Sequence, residues 1–122
     1  MKKVILAAVI GIASTGVMAA TALCDGTGTP KTVAAGTAGT DFNVAEIKLN
    51  CSNNVFLQYG RSSNAMSVGS ASSKGKTIWS GHTNGGSVTR ASDCSGNACT
   101  ATSAASGAGT AADTALTAAS SG

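Results

Sequence analysis

Four cysteines, Cys24, Cys51, Cys94 and Cys99, and one histidine, His82, are the residue types in this 122-residue chain best suited to chemistry. Four cysteines can make disulfides, a redox pair or a metal site, and their spacing separates the three. A thioredoxin-type redox pair has two residues between its cysteines at a helix start, where the thiolate is stabilised. Cys94 and Cys99 have four between them, in the polar stretch "CSGNAC". A zinc site needs clustered Cys and His ligands, and the lone His82 is far from Cys24 in the chain. Structural disulfides are therefore expected. Of the three ways to pair four cysteines, Cys24 with Cys51 and Cys94 with Cys99 is preferred. The first would tie an N-terminal arm to a strand, and the second would close a short turn. Pairings that join Cys51 to Cys94 or Cys99 stay open. No cofactor and no metal is expected.

His82 lies in "SGHTNGGS" near Ser80, Ser87 and Asp93, the residue types of an acyl-transfer triad. The G-x-S-x-G turn that exposes such a serine is missing, and so short a chain has little scaffold to exclude water or fix an oxyanion hole. The five acidic residues are scattered singly, which offers neither a glycosidase carboxylate pair nor a calcium loop. "VGSASSKGKT", Val68 to Thr77, ends like a phosphate-binding loop. That loop requires glycine five positions before its Gly-Lys-Thr, and here the position is Ser70, with Gly69 one residue too far back. The segment reads as a solvated connection between strands. The expectation is a protein without enzymatic activity.

Residues 1–19 have the layout of a secretory signal: Lys2 and Lys3, the apolar run "VILAAVIGIASTGV", and a small-residue cleavage site in "VMA" or "ATA". Cleavage after Ala19 or after Ala22 fits. The apolar run is shorter than the ~20 residues needed to cross a bilayer. Leu23, just before Cys24, departs from the small residue that lipoprotein processing requires. The expected location is the periplasm, the cell surface or the exterior of a bacterium, where ATP is scarce. Lys2 and Lys3 supply two of the formal +3 charges, so the processed chain carries +1, with its remaining charges dispersed. A nucleic-acid partner is not expected, nor is stable membrane insertion after cleavage. Phe42, Phe56, Tyr59 and Trp79 are the only aromatics, too few for a stacking platform.

The elements that would position these residues divide the processed chain into a flexible arm over 20–40, a β domain over 41–100 and a low-complexity tail over 101–122. "DFNVAEIKLNC" and "VFLQYG" alternate around Ser52, Asn53 and Asn54 and predict a β-hairpin. Shorter strands are expected over 65–68, 76–79 and 87–90, with Trp79 capping the core. The fold class expected is all-β, a small antiparallel sheet or sandwich stapled by disulfides. In the tail, Ala108, Ala111, Ala112, Ala115, Leu116 and Ala119 recur at helical spacing. A helix over 110–119 is thus the alternative to a flexible or extended tail.

These readings point to a small exported structural or self-assembling subunit. Its arm, with Thr32, Ala34, Gly36, Ala38 and Thr40 on one face, would be donated to a neighbour's sheet. The alternative is a small exported binding module or inhibitor, presenting loops 60–67 and 80–87 with Arg61, Trp79, His82 and Asn84 as contacts.

Overall fold

The structure, a computed structural model, describes residues 20–120, so the signal segment expected over 1–19 lies outside the described residues. Seven strands precede one helix: β1 (Thr21–Thr27), β2 (Lys31–Val33), β3 (Ile47–Leu49), β4 (Asn53–Arg61), β5 (Met66–Ser72), β6 (Thr77–His82), β7 (Thr89–Asp93) and α1 (Ala101–Ser120). Five strands make one antiparallel sheet in the order β1-β4-β5-β6-β7, while β2 and β3 pair separately. The strands expected over 65–68, 76–79 and 87–90 are β5, β6 and β7, each displaced or lengthened by a few residues. The antiparallel sheet is thus as expected, but the fold is not all-β. It is mostly β, with a helix laid across one face of the sheet.

That helix corrects the flexible tail. Its start is set by Thr100, whose Oγ1 accepts from the Ser103 amide at 3.1 Å while the Ser103 hydroxyl oxygen accepts from the Thr100 amide at 2.9 Å. This reciprocal arrangement satisfies two amides that a helix N-terminus otherwise leaves unpaired. The helix buries Ala104, Ala108, Ala111, Ala112, Ala115, Leu116 and Ala119 in one stripe. An alanine helix in isolation is marginal; packing on the sheet is what holds this one. Close approach makes up for the small side chains. A Cβ at Gly69 of β5 would overlap the Ala108 carbonyl and the Ala112 amide, and one at Gly107 of α1 would overlap Ile78. Glycine on both surfaces lets backbones approach where larger side chains would hold them apart. Two sheet side chains then bond to helix carbonyls: Ser67 Oγ donates to Ala112 O at 2.7 Å, and Gln58 Nε2 to Ala105 O at 2.8 Å.

The disulfides are Cys24–Cys51 and Cys94–Cys99, the preferred pairing. The first joins β1 to the residue two positions before β4. The second closes the turn between β7 and α1 and is seated on the sheet, because the Cys94 amide donates to Lys76 O at 2.9 Å and the Cys99 amide to Gly75 O at 2.7 Å. The phosphate-loop look-alike is therefore the second half of β5 and the turn into β6, with the carbonyls of Gly75 and Lys76 spent on anchoring the helix start.

The expected hairpin is not formed. β3 pairs with β2, with Val33 opposite Ile47, and β4 runs between β1 and β5. Asn53 and Asn54, read as turn residues, open β4 itself. Alternation assigns faces but not partners, and the Cys24–Cys51 link brings β1 to the edge of β4 that β3 would have occupied. The arm over 20–40 is likewise corrected: it supplies β1 and β2 to its own chain. Lys31 Nζ lies 2.9 Å from Asp25 Oδ2, bridging the two strands. Hydrogen bonds from Thr27 first, then Lys31, hold the Asp25 carboxyl well below the usual carboxylate range.

Candidate functional site

Alternation along the central strands decides what each face of the sheet offers. Ser67, Gly69 and Ala71 of β5 and Ile78 of β6 turn toward α1, where Ala71 and Ile78 share a buried cluster with Ala104 and Ala111. Met66, Val68, Ser70, Trp79 and Gly81 therefore face the other way. On β4, Phe56, Gln58 and Gly60 turn to the helix side, which puts Val55, Leu57 and Tyr59 on the outer face. The helix covers one face only.

Trp79 sits within this outer face, between Ser70 of β5 and Arg90 of β7 in the strand register, and is 44% exposed. It does not cap the helix-side core as expected; the neighbouring Ile78, 5% exposed, fills that place. Val88, 71% exposed, leans over Gly81, whose missing Cβ would stand 3.3 Å from Val88 Cγ2. One depression is lined by Val55, Lys76 and Trp79, and a second by Met66, Val68, Gly81 and Val88. At the margin Arg90 and Asp93 form an ion pair. The Arg90 hydrogen bond holds Asp93 below the usual carboxylate range, and the same contact raises the Arg90 guanidinium. The outcome is an apolar stripe with a mutually neutralised charge pair at its edge.

The loops singled out in the sequence do meet at one end of the sheet: the Thr83 amide donates to Met66 O at 2.9 Å, and the Met66 amide to Thr83 Oγ1 at 3.0 Å. Two of the four contact residues are nonetheless committed internally. Arg61 Nη1 donates to Ala34 O at 3.1 Å and Asn43 Oδ1 at 2.9 Å, while its Nε lies 3.1 Å from Asp41 Oδ1. It clamps the segment between β2 and β3. Asn84 Nδ2 donates to Ala119 O at 2.8 Å and closes the helix C-terminus.

His82 ends β6 on the helix side, its ring against Gly86, and its buried Nδ1 has no hydrogen-bond partner among the described residues. Ser80 is two residues back on the same face. Asp93 stands opposite Thr77, at the far end of β6, and is engaged by Arg90. Serine, histidine and aspartate are not brought into a relay, in which histidine Nδ1 would donate to the carboxylate. Beyond β6, a cleft between α1 and β7 is lined by Ser80, Thr89, Arg90, Ser92, Thr110 and Thr114 together with the small residues Ala91, Gly107 and Ala111. Among the described residues, no three His, Cys, Asp or Glu side chains are grouped to hold a metal ion, and no helix is long and apolar enough to cross a membrane.

Sequence reasoning missed the outer-face roles of Met66, Val68 and Val88. The signal lay in "MSVGSAS", where apolar Met66 and Val68 alternate with Ser67, Gly69 and Ala71. Small residues facing a close-packed helix look like loop composition when read without a partner. No family model, curated protein or solved structure matches the chain.

Proposed function

We propose that the chain is a small exported, non-catalytic subunit that self-assembles by packing the outer faces of two copies together. The observation that carries this reading is the part of the sheet face turned away from the helix where Trp79 and Val88 are exposed beside half-buried Met66, Val68 and Val55. An apolar patch of this kind on one side of a sheet is characteristic of an interaction surface, and an exposed tryptophan is a favoured anchor. A second copy is the occupant favoured by charge. The processed chain carries only +1, so copies repel weakly, and Arg90 and Asp93 at the margin offer both signs to an opposing copy. Edge-to-edge growth has less support, because register shifts interrupt both β1 and β7, and bulged edges resist pairing. Donation of the arm also loses its support, since β1 and β2 serve their own chain.

Size-exclusion chromatography with light scattering on the processed, oxidised protein tests this. A dimer that forms as concentration rises is expected, and Val88→Asp, at a position exposed enough to leave the fold intact, is expected to leave a monomer. A monomer at every concentration would favour the second reading, a binding module using the adjoining loops 62–65 and 83–88, which the Met66–Thr83 bonds bring side by side.

A further inference from the structure

Helix α1 carries a single charged side chain, Asp113. It lies mid-helix and half-buried, and its Oδ1 accepts a hydrogen bond from the backbone nitrogen of Ala20 at 2.7 Å. Among the described residues, no lysine or arginine comes within ion-pair distance of it. A half-buried carboxylate that accepts from a neutral amide would gain a stronger, charge-assisted bond from an ammonium group at the same place. The nitrogen it contacts is the one that cleavage after Ala19 would release.

We infer that Ala19–Ala20 is the processing site and that the α-ammonium group released there forms an ion pair with Asp113, fastening β1 to the helix. The inference rests on the export reading. Water adds across the Ala19–Ala20 peptide bond under a leader peptidase: the C–N bond breaks, Ala19 leaves as a carboxylate, and the Ala20 nitrogen becomes a primary amine that takes up a proton near neutral pH. The alternative cut, after Ala22, fits the fold poorly. It would delete Thr21 and Ala22, which pair with Tyr59 and Gln58, and would leave the buried Leu23 as the charged terminus. Cleavage thus changes a neutral contact into a charged one at the place where the first strand meets the last element.

The test begins with intact-mass analysis of the full chain exported from a bacterial host. A product beginning at Ala20 is expected. A product beginning at Leu23 or elsewhere, or an exported chain left uncleaved, overturns the site, whereas chain found only inside the cell overturns the export reading beneath it. Asp113→Asn is then introduced in two processed proteins, the natural one and one with a glycine inserted between Ala19 and Ala20, each N-terminus being verified by mass. The inserted glycine keeps an amide at Ala20 and moves the ammonium away. Asp113→Asn is expected to raise the unfolding equilibrium constant roughly three- to fivefold in the natural protein and to change it much less in the extended one. Equal effects in both would show that Asp113 responds to an amide and not to the new charge, and would overturn the ion pair.

Discussion

At Gly69 and Asp25, single side chains decide how the structure holds. Gly69 lets α1 lie directly on β5, and Gly69→Ala would set a methyl group against the Ala108 carbonyl. Backbone cannot yield as a flexible side chain does, so a loss of about 3 kcal/mol is expected in urea denaturation, the upper end of overpacking costs. The Asp25 carboxyl, held low by Thr27 and Lys31, contributes stability that is present above its unfolded pKa of about 3.9 and is lost as pH falls through its lower folded value. NMR titration should find Asp25 still ionised where ordinary aspartates are half protonated, and Thr27→Ala should raise its pKa toward the ordinary value. An Asp25 that titrates normally in the parent protein would remove this link between β1 and β2.

Elements depend on how their ends are fixed. Thr100→Ala removes the hydroxyl that accepts from the Ser103 amide, and a loss of about 1 kcal/mol is expected, measurable as a shifted denaturation midpoint with unchanged slope. Replacing Cys94 and Cys99 together by alanine opens a loop closed over five residues and is expected to cost about 2 kcal/mol on the chain-entropy account. Replacing Cys24 and Cys51, 27 residues apart, is expected to cost more, about 3–4 kcal/mol. The elements were unevenly legible in the sequence. The alanine stripe from Ala108 to Ala119 was visible as a period, but its start was not, because Thr100 and Ser103 form the cap without the usual Glu or Gln. Strand positions for β5, β6 and β7 were readable from their alternation and the Gly and Asn turns between them. Pairing was not, since the partner of Ile47–Leu49 lies at Lys31–Val33, in a segment whose Thr, Ala and Gly composition carries no burial signal of its own.

At the scale of the whole molecule, a helix of small residues covers one face of the sheet, and the chain has no second helix for the other among its described residues. Trp79 was visible in the sequence as a large residue in a strand, but which face it occupies is set by Ile78 packing against α1, a contact between segments about 30 residues apart that no local pattern encodes. The claim that the outer face joins two copies is tested most directly by sedimentation velocity on the processed, oxidised protein and on its Val88→Asp variant, across a wide range of concentrations. The account predicts concentration-dependent assembly by the parent, and a monomeric variant whose denaturation midpoint is little changed. A parent protein that sediments as a monomer throughout, or a variant that assembles equally well, would contradict it.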